Sequence, residues 1–515
     1  MLHFIAFLLL ISTLAAARLS DKSLASDNPS APMYCCGSLE AAGLNVEYPG
    51  NSTYEASVKS YWSDLAQLQP WCFVQPVNAQ EVSNIVSTLV AASGDCSVQC
   101  QFAVRSGGHA TGAGAANIED GVTIDLGLLN STTYNPENST ATIEVGARWL
   151  SVYETLDAIG ISSPGGRNAL PGVGGLVLGG GLSFFNARKG FVCDNVANYE
   201  VVLASGEIIN ANKDENSDLW LALKGGSNNF GIVTKIDMIT FDNEGDLWGG
   251  FIYYPNSTVP QHVKAFVDFV DNIEKDPYAS QILFTAYSPI GSAGEIIIFT
   301  SPVYTKPVER PPIYDEFLAI PGNISNAPSV GISNISHLIG QIDTPAKFRQ
   351  TFMTCTFEND ERVLRKALDL YTVMTEKLAL EPIEGDWVSA TQFHPVPKLF
   401  SQRSAEKGGN VLGLERFSSN LVVFLVNMSW RDTDKDQLFH SAAKQLVKDV
   451  ADFSRSIGKD NEWLYLNYAG KDQSPLQSYG PENVAKIRAA AAKYDPDGVF
   501  QKLVPGGFKI SEIKE

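Results

Sequence analysis

The sequence predicts an α+β protein of more than one domain, and three observations carry that expectation. The apolar, strand-like run Phe102-Ala103-Val104 feeds directly into the turn Arg105-Ser106-Gly107-Gly108-His109. A second glycine cluster follows, Gly172-Val173-Gly174-Gly175-Leu176-Val177-Leu178-Gly179-Gly180-Gly181. Past Phe241 the composition shifts to strands alternating with amphipathic helices and no further phosphate-loop signal. Glycines leave backbone N–H groups unobstructed and tolerate positive φ, so both clusters can wrap tightly around a phosphorylated ligand. A histidine directly after the first turn would stand beside it.

A chain of 515 residues is long for one domain and points to two or three. With 44% hydrophobic and 18% charged residues it is globular. A formal charge of −19 excludes the basic footprint that nucleic-acid binding needs. Residues 4–14 are apolar and Ala15-Ala16-Ala17 supplies small residues for cleavage, so residues 1–17 read as a secretory signal. The apolar run is shorter than the ~20 residues of a membrane span, and no membrane association is expected after its removal. Sequons at Asn51, Asn130, Asn138, Asn256, Asn323, Asn334 and Asn427 fit a secreted glycoprotein.

Cys35, Cys36, Cys72, Cys96 and Cys100 lie in the first hundred residues, with Cys193 and Cys355 apart. In an oxidising compartment two local bridges would pin an N-terminal arm (18–64) to the first domain, with connectivity left open. Cys96-x3-Cys100 lacks a histidine or second pair at zinc spacing, so no metal site is expected.

Residues 18–49 read as polar and loop-like. The first domain is expected over 65–245. In it Cys72-Phe73-Val74 is a strand, and Asn78 with Glu81 opens a helix in capping-box fashion. Val82, Ile85, Val86, Leu89 and Val90 give that helix one buried stripe. Strands follow at 102–105, 121–126 and 141–146, then a helix from Ser151 and a hairpin through Ser205-Gly206. After a short helix at 219–223, a third glycine-rich turn enters a strand at Gly231-Ile232-Val233. The second domain, 246–460, carries strands near 295–300 and 420–426 and helices near 263–270, 362–374 and 438–450. The last segment, 461–515, holds Tyr465-Leu466-Asn467-Tyr468 and a helix opened by Pro481.

G-x-x-x-x-G-K-[ST], H-E-x-x-H and G-x-S-x-G are all absent, which disfavours nucleotide hydrolysis, zinc proteolysis and an esterase elbow. Cofactor-assisted redox chemistry is the natural reading for several glycine-rich loops on one scaffold.

The chain resembles the vanillyl-alcohol-oxidase-type (PCMH-type) FAD-linked oxidoreductases, within them the secreted fungal berberine-bridge-enzyme-like group. The resemblance spans roughly residues 60 to 510 and rests on ordered motifs: the Cys72 strand with Pro76, Arg105 to His109, Gly121 to Leu126, the second glycine cluster with Asp194-Asn195-Val196, Gly225 to Thr234, Gly408-Gly409-Asn410, and Tyr465 to Tyr468 with the final helix. It implies a two-subdomain FAD-binding domain, a substrate domain with an antiparallel sheet covered by helices, and a C-terminal segment returning to the FAD domain. By the same resemblance Arg105, Ser106, Gly107 and Gly108 line the FAD diphosphate and His109 is the covalent flavin attachment site. Gly174, Gly175, Gly180 and Gly181 hold the cofactor from the other side, Gly231, Ile232 and Val233 flank the adenine end, and Asn467 lies near the flavin. Bicovalent members carry a cysteine where this chain has Gly172, so a single link is implied.

The family's Tyr-x-Asn-Tyr motif makes Tyr468 the implied base. An unperturbed tyrosine titrates near ~10, so the site must stabilise a phenolate by charge or hydrogen bonds. His394, in Phe393-His394-Pro395, stands where the family has a glutamine and adds a second candidate near the pocket. The expected function is hydride transfer from a small organic substrate to FAD, with molecular oxygen as acceptor, in secondary metabolism. A secreted oligosaccharide oxidase is the nearest alternative. A non-catalytic secreted binding protein that retained the fold is the alternative of another class.

Overall fold

The computed structural model describes residues 31–95, 98–242, 246–325, 330–341 and 346–514. The expected signal (1–17), the rest of the arm to residue 30, Cys96 and the boundary residues 243–245 lie outside them.

Two sheets build the first half. Cys72–Val74, Val122–Asp125 and Phe102–Arg105 pair in parallel, and Val46–Glu47 adds antiparallel at the edge. Parallel strands need cover on both faces. Helix Ala79–Asp95, which follows the first of these strands, buries Val82, Ile85, Val86 and Leu89 fully and also contacts the antiparallel sheet. Its start is capped much as expected: Asn78 Oδ1 accepts from Glu81 N at 2.8 Å, while Glu81 accepts from Val77 N, not Asn78 N, at 3.0 Å. The second sheet is antiparallel, in the order Thr132–Asn135, Thr140–Glu144, Ile232–Ile239, Val196–Val202, Ile208–Asn212. Its last pair is the expected hairpin, with Gly206 at φ +83 in the turn.

The arm corrects one expectation. Residues 18–49 were expected to be loop-like, yet Ala31–Ala41 is a helix lying on helix Ala79–Asp95. Its buried face is Cys35, Cys36 and Leu39. Adjacent helical cysteines diverge to different partners: Cys35 bridges Cys100 and Cys36 bridges Cys72. An apolar stripe made mostly of cysteines carries little hydrophobic signal, so the helix is hard to read in advance.

The second half centres on a seven-stranded antiparallel sheet, in the order Ile252–Pro255, Ile297–Thr300, Leu283–Tyr287, Trp387–Val396, Leu421–Trp430, Arg349–Glu358, Asp460–Asn461. Side chains alternate between faces along each strand. One face meets helices Val259–Asn272, Glu361–Ala379 and Asp436–Ser456, where Trp430 stacks on Phe439 at 4.8 Å and Phe393 meets Phe266 at 6.2 Å. The other face carries His394 beside Val423, and Asn427 between Phe352 and Ala390. That face looks at the first half.

Two clasps join the halves. Asp194 accepts from Ser404 Oγ (2.6 Å) and Asn410 Nδ2 (2.8 Å), bringing together two motifs far apart in the chain. The C-terminal segment packs back on the first half: Phe102 N donates to Leu503 O at 2.7 Å, and Tyr479 Oη donates to Gly225 O at 3.0 Å. No helix among the described residues is long and apolar enough to cross a membrane.

Candidate active site

The two glycine clusters cross. A Cβ on Gly107 would lie 2.6 Å from Gly172 Cα, and one on Gly172 would lie 2.7 Å from Gly107 Cα. Ser106 Oγ donates to Val145 O at 2.5 Å and fixes the first turn beneath the second. The second cluster is not all loop, since Val173–Leu178 forms a short helix. Within it Gly174 faces Val145, while a Cβ on Gly175 would meet only open space. Gly180 (φ +105) and Gly181 (φ +83) need positive φ and press on Leu412 and Val192. Gly231 presses on Val201, and Ile232 and Val233 are buried behind it.

Arg105 is held underneath. Its guanidinium donates to Ser57 O (3.0 Å) and Ser60 Oγ (2.6 Å), pairs with Asp125 at 3.5 Å and lies 4.1 Å over the Tyr61 ring. The two terminal nitrogens brace the turn from below, while Nε is buried without a partner beneath Gly108. His109 stacks on Trp62 with centroids 4.2 Å apart, and its Nε2 is buried without a partner. Burial first, and the Arg148 charge second, push His109 down to about 3, so the ring is neutral at physiological pH. A neutral imidazole with an unspent nitrogen, beside a glycine crossing, fits a site for a phosphorylated aromatic cofactor and for attachment to it.

On the sheet side, Arg167 Nη2 donates to Tyr468 Oη at 3.1 Å and meets His394 Nδ1 at 3.2 Å. His394 Nε2 lies 3.0 Å from Gln392 Oε1. Arginine only donates, so His394 Nδ1 is the acceptor and Nε2–H donates to Gln392. Burial and the Arg167 charge hold His394 well below the usual histidine value. Phe352 meets Tyr468 edge-on at 6.1 Å and Trp62 at 5.8 Å, which links Tyr468 to the His109 turn. Asn467 Nδ2 donates to Leu176 O (3.0 Å) and Tyr465 Oη (3.1 Å), locking the C-terminal turn onto the second glycine cluster.

The structure therefore brings His109, Gly175, Asn467, Tyr468 and His394 into one neighbourhood, and makes Ile232 and Val233 the start of a strand of the antiparallel sheet with Gly231 pressed on Val201 just before it. Trp62, Arg148, Arg167, Phe352 and Gln392 were not picked out from the sequence. Arg167 had a local signal, the turn Pro164-Gly165-Gly166-Arg167-Asn168 just ahead of the second cluster. Asn51, Asn130, Asn138 and Asn323 are exposed, Asn256 and Asn334 half-exposed. Asn427 is different: it is half-buried in mid-sheet on the face that carries Phe352 and His394, where a glycan would stand beside Phe352, which packs on Tyr468.

A family model described as an FAD binding domain matches residues 70–212. The chain belongs to the PCMH-type FAD-linked oxidoreductases. It is 42% identical over 478 residues to the FAD-dependent monooxygenase sdcF of Emericella nidulans, covering 92% of this chain and 98% of that one. It is 39% identical over 482 residues to the FAD-dependent monooxygenase drtC of Aspergillus calidoustus, covering 93% and 90%. The fold matches 6-hydroxy-D-nicotine oxidase from Arthrobacter nicotinovorans with TM-score 0.72 at 18% identity, over 89% of this chain and 96% of that one. It also matches glucooligosaccharide oxidase from Acremonium strictum, described with a 6-S-cysteinyl, 8α-N1-histidyl FAD, with TM-score 0.72 at 18% identity over 93% and 99%.

Proposed function

We propose that this FAD-dependent oxidoreductase oxidises a small organic substrate of secondary metabolism, with Tyr468 as the base and His109 as the single covalent attachment site. The observation that carries the reading is the position of Tyr468: its hydroxyl takes a hydrogen bond from a guanidinium and its ring is linked through Phe352 and Trp62 to His109. Bound FAD would supply a two-electron acceptor for substrate hydride. The backbone of residues 106–108 and of 174–175 would hold its diphosphate by main-chain donors. Arg148, half-buried beside the crossing, would add charge to the same anion. Tyr468 Oη would take the proton of the substrate hydroxyl, and Phe352 and the half-open sheet face with Gln392 and Asn427 would orient the substrate. The reading extends to export through residues 1–17, glycosylation at the exposed sequons and reoxidation by oxygen.

A single link is favoured by Gly172, since a cysteine there would drive its Cβ into Gly107. Purified holoenzyme, screened anaerobically for bleaching of the flavin against phenolic and alcoholic natural products and against oligosaccharides, tests the substrate class. Bleaching by oligosaccharides alone would overturn it. Peroxide yield and isotope-labelled oxygen incorporation on readmitting air then separate oxidation from monooxygenation.

A further inference from the structure

We infer that Arg167 is a positioning residue whose guanidinium offsets the negative charge left on Tyr468, and that His394 serves to aim Arg167 and does not itself exchange protons with substrate. This rests on the reading of Tyr468 as the base and adds the device that lets a tyrosine perform that role.

The geometry allows few other assignments. Arg167 Nη2 lies 3.1 Å from Tyr468 Oη and 3.2 Å from His394 Nδ1, so one nitrogen serves both. A guanidinium stays protonated in proteins and cannot be the proton acceptor of either contact. His394 therefore spends its one ring lone pair on Arg167, while its N–H is spent on Gln392 Oε1 at 3.0 Å. Nothing on the ring is left for a substrate. The imidazole is buried and kept neutral, so it adds no charge to compete with Arg167.

The groups facing Tyr468 are Arg167 from the loop at 163–168, His394 from strand Trp387–Val396 and Tyr465 from its own turn, with ring centroids 4.8 Å apart. Phe352 closes another side. Among the described residues no carboxylate is hydrogen-bonded or ion-paired to Arg167 or Tyr468, so the guanidinium charge is not cancelled locally. At 3.1 Å the guanidinium donates directly to the oxygen on which that charge would rest, a charge-assisted hydrogen bond. The step is a proton transfer and balances by itself: the substrate O–H bond breaks, the Tyr468 O–H bond forms, and the negative charge passes from Oη to the substrate oxygen. Arg167 is within reach of the charge at the start of that transfer. The chain is thus Gln392 to His394 to Arg167 to Tyr468, with Tyr468 the member that exchanges the proton with substrate.

The test uses holoenzyme with ring-carbon-labelled tyrosine, Tyr468→Phe to assign the Tyr468 signal, and Arg167→Gln, Arg167→Lys, His394→Leu and His394→Gln. Two quantities are followed against pH: the rate of anaerobic flavin reduction and the tyrosine NMR signal without substrate. In Arg167→Gln the ascending limb of the rate and the Tyr468 signal should move to higher pH together. Reduction at neutral pH should fall roughly tenfold or more. Arg167→Lys should restore part of the loss. His394→Leu, which leaves the Arg167 loop intact, should move both in the same direction, and His394→Gln, which keeps an acceptor, should recover most of that shift. If Arg167→Gln and His394→Leu keep the wild-type limb and signal while Tyr468→Phe abolishes the limb, the inference is wrong and Tyr468 remains the base. If Tyr468→Phe keeps the limb, the base reading itself falls.

Discussion

Gly172 and Gly107 meet backbone to backbone, so close that neither can carry a Cβ without moving the other. The two glycine clusters are therefore one structural unit. Gly172→Ala should displace the 105–109 turn, costing about 1–3 kcal/mol as overpacking does. It should lower the flavin-to-protein ratio and the melting temperature together. Gly172→Cys is expected to lose flavin in the same way and not to gain a second linkage. Full flavin occupancy with an added cysteinyl bond would show that the crossing is more pliant than this.

His109→Ala should still bind FAD, because the glycine backbone and Arg148 remain, but acid precipitation should leave the flavin in the supernatant. The wild-type protein should keep its colour in the pellet. Release of flavin from wild type by acid alone would remove His109 from its assigned role.

Tyr468→Phe keeps the ring that packs on Phe352 and removes the oxygen that Arg167 meets. Folding and flavin content should be nearly unchanged. Turnover should drop ~10²–10⁴-fold, the usual worth of general-base assistance, with the loss in substrate-dependent flavin reduction. Reoxidation of reduced flavin should stay near normal. Retention of most activity would return Tyr468 to a packing role.

Acid should destabilise the protein through its buried histidines. His109 is lowered from 6.5 to about 3, His262 from 6.5 to about 4, and His394 well below 6.5, each mainly by burial. The unfolded chain therefore binds protons below pH 6.5 that the native chain refuses, so stability present above 6.5 is lost as pH falls toward 4 and 3. Each such histidine is worth up to about 1.4 kcal/mol per pH unit. Asp157, Asp194 and Asp495, raised by burial, act in the opposite sense over a window above 3.8, so a variant isolates the histidine contribution. His262 is far from Tyr468 in sequence and sits among Tyr254 and Phe317, which makes His262→Phe a fair replacement. Its unfolding free energy should fall less steeply between pH 6.5 and 4 than that of wild type. Parallel curves would refute the assignment.

Much of the fold was legible because it is written in local patterns. The stripe Val82, Ile85, Val86 and Leu89, the alternation at 141–146 and the turn at Ser205-Gly206 each specify their own element through periodicity or φ. The glycine clusters were legible for the same reason, since only glycine tolerates the positive φ of Gly180 and Gly181. The Ala31–Ala41 helix was not, because its buried face is built from cysteines whose partners lie elsewhere in the chain. By itself the sequence determined the elements, the loops able to accept a phosphorylated ligand, and which histidine and tyrosine were worth watching. Only the tertiary structure decided that Arg105 lies beneath its loop, that Gly172 excludes a side chain, that Asn427 shares a sheet face with Phe352 and His394 and that Arg167 meets Tyr468. The physical reason is range. Backbone conformation follows from neighbours a few residues away, whereas the direction of a guanidinium or an amide depends on surfaces that become adjacent only when distant strands have paired.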